Sequence, residues 1–134
     1  MLIKKLVDVP PEVALRQFKD DKDWAVRRAV VKMQTPEVAL RQFKYDEDWA
    51  VRLVVVQMQT PEVALQFKND SDHDVRLAVV EMQTPEVALQ FKNDSDRDVR
   101  LAVIQMQTPE VALRQFKDDS DCEVRLAVVK MQFP

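Results

Sequence analysis

The chain contains 134 residues, of which 46% are hydrophobic and 32% are charged, and its formal net charge is −3. Because acidic and basic residues are interspersed, this composition argues against a strong electrostatic attraction to DNA, RNA or an acidic membrane surface. The single cysteine, Cys122, excludes an intrachain disulfide framework and favours a reducing, cytoplasmic compartment.

Glycine is absent from the chain. The phosphate-binding loops and nucleophile-bearing turns that depend on glycine are therefore excluded, and any left-handed turn is expected to use Asn or Asp. No apolar run approaches the roughly 20 residues that a membrane-spanning helix needs, so we expect no membrane segment.

The first nine residues differ in sequence from the rest of the chain. Leu2, Ile3, Leu6 and Val7 follow a helical spacing, with two lysines between them. The end unit of a repeat array has no neighbour on one side and needs a cover. Residues 1–9 are therefore predicted to form a short amphipathic cap over the first repeat.

The remainder is one motif written five times, with 24 or 25 residues in each copy. Copies three and four differ at only three positions. A short period of this kind predicts a single domain of stacked repeats over residues 1–134. The repeats are residues 10–34, 35–59, 60–83, 84–107 and 108–132, and residues 133–134 form a tail.

Each repeat begins with a short helical segment, typified by Thr35-Pro36-Glu37. Thr is a good N-cap, Pro is favoured at the first helical position, and Glu suits the positive helix end. Ala39 and Phe43 then lie four residues apart, but repeats three and four lack the Arg of LRQF, and the same spacing falls to three. Because a 3₁₀ turn contains three residues, the shorter repeats are predicted to be nearer 3₁₀ and the longer ones nearer α.

The second segment of each repeat is predicted to be a longer α-helix that starts after an Asp N-cap. Val99, Ala102, Val103 and Met106 are spaced i, i+3, i+4 and i+7, which places them on one helical face. The chain is therefore predicted to be all-α. The five caps are Asp23, Asp48, Asp72, Asp96 and Asp121.

The pattern TPEVAL…F-x-x-D-x-D-x-x-VR-x-AVV resembles the leucine-rich repeat variant (LRV) family, and its D-x-x-VR-x-A core is similar to HEAT repeats. The resemblance covers Pro10–Gln132 and implies a right-handed α-solenoid superhelix of alternating 3₁₀- and α-helices. The chain departs from the family in having Phe-Lys where Leu-Ala is usual and Met-Gln where Asn-Pro is frequent. An iron–sulfur domain accompanies some LRV repeats, but one cysteine does not supply a four-thiolate site.

A regular Asp/Arg pattern runs along the second segments at a spacing of i, i+4. Each Arg is flanked by apolar residues, so its covered guanidinium needs acceptors, and an Asp of the neighbouring loop is well placed. We interpret the pattern as a structural charge ladder between repeats, with an arginine row for ligand binding as the alternative. The pairs are Asp23/Arg27, Asp48/Arg52, Asp72/Arg76, Asp96/Arg100 and Asp121/Arg125.

The acidic loop of repeat three resembles a calcium-binding loop in part. Asp70, Asp72 and Asp74 form DxDxD, and Glu81 stands at the twelfth position, but Val75 occupies the position that requires glycine. Helix caps and a solvated loop explain the same residues, so neither a metal nor another cofactor is predicted.

A few positions vary in chemical type between repeats, which suggests exposure. Trp24, Tyr45 and Trp49 are predicted to form an aromatic patch for partner contact, with a lid over the apolar edge of repeats one and two as the alternative. The column that follows the cap Asp reads Trp24, Trp49, His73, Arg97 and Cys122, and the candidates for partner binding are Trp24, Tyr45, Trp49, His73 and Arg97.

No catalytic constellation is evident, because His73 is the only histidine and Cys122 lies two repeats away. The sequence favours a non-enzymatic scaffold that binds another protein. The alternatives are a nucleic-acid-associated HEAT-like module, an enzyme of the HEAT-like lyase kind, which would need a pocket, and a recently duplicated array with no evolved ligand. The apolar edge of repeat five further predicts a homodimer through that edge, with a cover formed by Phe133 and a short tail as the alternative. A lysine column bears on the nucleic-acid alternative and comprises Lys19, Lys44, Lys68, Lys92 and Lys117.

Overall fold

The computed structural model describes residues 9–133, which form ten α-helices and two 3₁₀-helices with no strand among them. The all-α repeat fold predicted from the sequence is confirmed. The cap predicted for the first nine residues lies outside the described residues except for Val9. The α-helices are α1 Pro11–Phe18, α2 Trp24–Met33, α3 Pro36–Phe43, α4 Trp49–Gln57, α5 Pro61–Ala64, α6 His73–Glu81, α7 Pro85–Ala88, α8 Arg97–Gln105, α9 Pro109–Phe116 and α10 Cys122–Gln132.

The chain divides into two compact units, and the division falls between Thr60 and Pro61. Unit 1 contains repeats one and two, and in it α2 packs against α1 and α4, while α3 packs against α4. Unit 2 contains repeats three to five, and in it α6 packs against α8, α8 against α10, and α9 against α10. Within each unit the long second helices of successive repeats are therefore neighbours. A single domain over residues 1–134 stays a prediction.

Valine and phenylalanine fill the core of both units. Val55, Val79 and Val103, from the same column of different repeats, are completely buried. Burying a side chain of this size stabilises the folded state by roughly 1.5–3 kcal/mol relative to its exposure to water. β-Branched residues are only moderate helix formers, so packing of this face holds the long helices together.

The first segments differ between long and short repeats as the sequence predicts. Repeats one, two and five have an eight-residue α-helix, whereas repeats three and four have a four-residue α-helix followed by a 3₁₀-helix, Leu65–Phe67 or Leu89–Phe91. The tighter 3₁₀ turn compensates for the missing Arg. Phe67 and Phe91 are therefore buried like Phe43.

The loops turn without any left-handed residue in the described chain. The expectation that Asn or Asp would adopt positive φ is therefore wrong. Lys19, for example, ends α1 in the right-handed helical conformation, and Asp23 starts the next helix from an extended conformation. Because no described position requires positive φ, the absence of glycine carries no steric cost there.

A glutamine at the end of each repeat joins its two segments. The side-chain amide of Gln34 donates to the carbonyl of Pro11 at 3.0 Å and to that of Val30 at 3.1 Å. These bonds satisfy carbonyls of both helices in a largely buried position. The sequence analysis missed this role, although the recurring Met-Gln signals it. The equivalent glutamines Gln59, Gln83, Gln107 and Gln132 make the same pair of bonds.

Candidate functional site

The predicted Asp N-caps are all present at the starts of the long helices. In α2, a carboxylate oxygen of Asp23 accepts a hydrogen bond from the backbone N–H of Ala25 at 2.8 Å. The bond satisfies an N–H that the helix itself leaves unpaired. The equivalent caps are Asp48, Asp72, Asp96 and Asp121.

The arginines of the ladder bind a different set of aspartates from the caps. Arg27 donates from Nε and from a terminal nitrogen to the two carboxylate oxygens of Asp46, at 2.9 and 3.1 Å. Asp46 belongs to the next repeat and lies two residues before its cap, Asp48. The predicted link to a neighbouring loop thus runs through Asp46 rather than through the i, i+4 partner Asp23. The same bidentate pairs in unit 2 are Arg76–Asp94 and Arg100–Asp119.

A third bond anchors each guanidinium in its own repeat. The remaining terminal nitrogen of Arg27 donates to the carbonyl of Asp21 at 2.7 Å, and all three bonds hold a side chain that is only 7% exposed. Bidentate, charge-assisted pairing offsets the cost of burying the charges. The hydrogen bond to Asp46 is the main cause that raises the pKa of Arg27, and Asp94 does the same for Arg76. Arg52, Arg76, Arg100 and Arg125 make the equivalent bond to a carbonyl.

The acidic loop of repeat three caps the start of helix α6. Asp72 caps α6 by accepting from the N–H groups of Asp74 and Val75, and Asp70 accepts from the N–H of Asp72 at 2.9 Å. Glu81 is the last residue of α6. Within residues 9–133, no three His, Cys, Asp or Glu side chains are grouped in a way that could hold a metal ion.

The aromatic candidates all lie on unit 1. Trp24 and Trp49 are the first residues of the packed helices α2 and α4 and are 44% and 43% exposed, and Tyr45 is 87% exposed in the preceding loop. The ammonium of Lys44 lies 5.3 Å from the centre of the Tyr45 ring. We call Trp24, Tyr45 and Trp49 the aromatic patch. Neither tryptophan is among the described residues that line the apolar groove of repeat one.

A polar cleft opens beside Tyr45 of this patch, between the loops of repeats one and two. It has a volume of about 400 Å³, and Lys19, Lys22, Arg41 and Tyr45 are among its lining residues. The corresponding cleft between repeats three and four measures about 180 Å³ and is lined by Lys68, Asn69, Gln90, Phe91 and Asp94. Arg41 has no counterpart in repeat four, because this is the residue that the short repeats lack.

The remaining two candidates are in unit 2 and face aspartates. The imidazole of His73 lies 3.4 Å from Asp74 and 4.0 Å from the cap Asp96 of the next repeat. The guanidinium of Arg97 lies 3.7 Å from the cap Asp121. Both side chains are about half exposed, so these contacts are weak in water. Cys122, in the same column, is an exposed free thiol.

These features define an all-helical repeat protein. One solved structure, described as a leucine-rich repeat variant with a novel repetitive protein structural motif, matches the chain with a TM-score of 0.78 and 33% sequence identity. The match covers 90% of this chain and 50% of that protein, so the chain spans about half of its length. The resemblance to leucine-rich repeat variant proteins is thereby confirmed. No protein-family model and no curated protein matches the chain.

None of the helices described between residues 9 and 133 combines the length and apolar character that crossing a membrane would require.

Proposed function

We propose that the chain is a non-enzymatic scaffold that binds another protein through the aromatic patch of unit 1. The observation that carries the proposal is the exposure of Trp24, Tyr45 and Trp49 on one unit. Tryptophan and tyrosine are enriched among the residues that dominate protein–protein binding energies. A grouping of exposed apolar side chains is a feature of protein-interaction sites.

The neighbouring cleft supports the same assignment. Its volume of about 400 Å³ accepts a side chain or a short extended segment of a partner. Lys19, Lys22 and Arg41 line it and make no ion pair within the described residues, so they are available for polar contacts at the rim of an interface. One unpaired cysteine suits a cytoplasmic location, which is part of the proposal.

The repeats provide matched replacements for the test. The triple variant Trp24→His, Tyr45→Asn, Trp49→Arg installs residues that repeats three and four carry at the same positions, namely His73, Asn69 and Arg97. A control variant, Asn69→Asp with His73→Arg, likewise gives unit 2 residues that other repeats carry at the same positions, namely Asp118 and Arg97. Both variants are expected to keep the far-UV circular dichroism spectrum of the parent chain.

Affinity purification from the native host with the parent and both variants measures the effect. We expect the triple variant to lose a protein that the parent and the control retain, with its affinity falling at least about tenfold once that protein is purified. Binding should also shift the tryptophan fluorescence of the parent to shorter wavelength. Equal retention by the triple variant would refute the patch as the binding surface.

A further inference from the structure

The two tryptophans of the aromatic patch occupy the same position on neighbouring helices. Trp24 is the first residue of α2 and Trp49 is the first residue of α4, and these two helices pack against each other. Both side chains are exposed to nearly the same extent. Because equivalent residues of stacked repeats recur at the spacing of the repeats, the patch offers two indole rings one helix spacing apart.

This spacing distinguishes between the backbone conformations of a bound segment that runs from one repeat to the next. Packed helices lie about 8–10 Å apart. A polyproline II helix brings every third residue to the same face, at intervals of about 9.3 Å. A β-strand returns to the same face about every 6.6–6.8 Å, and an α-helix does so about every 5.4 Å, with seven residues spanning about 10.5 Å. Only the polyproline II interval falls within the spacing of the packed helices.

Aromatic rings suit the side chain that favours this conformation. Proline fixes φ near the polyproline II value and has no N–H that binding would leave unpaired, and proline-rich segments dock in grooves lined by aromatic residues. Tyr45 adds an exposed phenol ring between Trp24 and Trp49 in the chain. Its hydroxyl can donate to a backbone carbonyl, which polyproline II leaves without an internal partner.

The cleft beside Tyr45 supplies an unequal balance of engaged charges. Among its lining carboxylates, Asp46 accepts two bonds from Arg27, and Glu47 lies 3.7 Å from the same guanidinium. Asp21 accepts from a backbone N–H, which leaves Asp20 without such a contact among the described residues. The cations of the cleft have no ion pair within residues 9–133, and a carboxylate of a partner would complement them. These cations are Lys19, Lys22 and Arg41.

We propose that the segment bound by unit 1 is a proline-rich chain in the polyproline II conformation. Prolines three residues apart pack on Trp24 and Trp49, and an acidic residue of the same segment enters the cleft beside Tyr45. This inference rests on the proposed function and adds the chemistry of the partner. Unit 2 does not offer the same pair of rings, because His73 and Arg97 occupy the tryptophan column there.

The test is titration of the full chain with three synthetic peptides of equal length, followed by calorimetry and tryptophan fluorescence. The first peptide has prolines three residues apart and a pair of glutamates at one end. The second has the same composition with prolines four residues apart, and the third has lysines in place of the glutamates. We expect the first peptide to shift the fluorescence to shorter wavelength and to bind at least about tenfold more tightly than the second. The third should bind at least about fivefold more weakly than the first at low ionic strength.

Single variants of the chain assign the two contacts. Trp24→His and Trp49→Arg should each weaken the first peptide at least about tenfold. Arg41→Gln should weaken the first peptide and leave the third unchanged. His73→Arg, in unit 2, is the matched control and should bind the first peptide like the parent. All four positions are exposed, so the circular dichroism spectrum should stay the same.

The outcomes separate this inference from the proposed function. Equal affinity for prolines three and four residues apart, or equal binding by the parent and both tryptophan variants, would overturn the inference. If no proline-rich peptide bound while the triple variant still lost its partner in the affinity purification, the patch would remain a binding surface and the proline-rich occupant would be refuted.

Discussion

Unit 1 exposes Trp24, Tyr45 and Trp49, whereas unit 2 carries smaller or charged residues in the same columns. The charge differs as well: residues 1–60 contain eleven Lys or Arg and nine Asp or Glu, and residues 61–134 contain nine and fourteen. The bonds that build the scaffold are nevertheless the same in both units. Stability and surface chemistry are therefore specified by different columns of the repeat, and each can change without the other.

The excess of acidic over basic residues in unit 2 also bears on nucleic acid binding. The lysine column is interleaved with carboxylates, and Lys92 is already bonded to the side-chain oxygen of Gln115 at 3.0 Å. We therefore expect the lysine column to be too weak a cationic stripe to release counterions from a phosphate backbone. We expect no salt-sensitive shift of a DNA duplex in a gel.

The largest expected loss of stability follows from removing a buried phenylalanine. It tests whether the α and 3₁₀ segments place this ring in equally well-packed sites. Phe43→Ala in unit 1 and Phe91→Ala in unit 2 should each lower the free energy of unfolding by about 3–5 kcal/mol, because both remove a buried ring and leave a cavity. Urea denaturation followed by circular dichroism measures it. Phe133→Ala, at an exposed position, is the control and should change stability little. A much smaller loss for Phe91 would mean that the 3₁₀ site is loosely packed.

A smaller loss of unfolding free energy is expected when an arginine–aspartate pair of the charge ladder is removed in either unit. Arg27→Met and Arg76→Met each leave a carboxylate, Asp46 or Asp94, without its bidentate partner at a position only 7% exposed. We expect losses of about 2–3 kcal/mol, somewhat larger for Arg27 because its side chain is 7% exposed against 12% for Arg76. A double-mutant cycle with Asp46→Asn and Asp94→Asn measures the coupling, and a coupling near zero would contradict the ladder.

The direction of the arginine pKa shifts sets the pH dependence of that contribution. Because pairing raises the pKa of Arg27 and Arg76 above its ordinary value, their contribution is fully present below the ordinary arginine pKa and is lost only as pH rises through the raised one. The difference in unfolding free energy between the parent and Arg27→Met should therefore stay constant from pH 7 to pH 10.

The helix caps are expected to contribute less, and equally in the two units. Asp48→Ala and Asp72→Ala each remove a cap bond of 2.8 Å at the start of a long helix, so each should cost about 1 kcal/mol. Thermal unfolding of the two variants gives the comparison. Asp98→Ala, at an exposed position after the cap, serves as a control with a smaller effect. A loss well above about 2 kcal/mol in either variant would contradict a role limited to capping.

The smallest effect on stability is expected from changing the repeat length itself. Deleting Arg41 converts LRQF of repeat two into the LQF of repeats three and four. The segment should then end in a 3₁₀ turn, with a change in unfolding free energy within about 1 kcal/mol, because Phe43 can still point inward. Backbone chemical shifts over residues 36–44 report the helix type. If the first segment of repeat two remained a full α-helix, the length of the repeat would not determine the type of helix.

Local patterns in the sequence were sufficient to predict several features of the fold. The Asp and Thr caps, the helical face of each long segment and the 3₁₀ turns of the short repeats depend on contacts within one repeat, so spacing alone reveals them. The exposure of Tyr45 and the half-exposure of both tryptophans also follow the variable columns. The caps, the helical face and the turns are properties of short segments, whereas exposure also depends on how the repeats pack.

The tertiary structure decided which charged groups bind each other. The i, i+4 spacing put Asp23 beside Arg27, but the cap bond already engages Asp23, and stacking brings Asp46 within 2.9 Å of the guanidinium. The role of Gln34 was hidden for the same reason, since a bond across 23 residues depends on how segments pack. The sequence by itself determined the repeat and its helices. Only the packing of one repeat on the next determined the ladder and the cleft beside Tyr45.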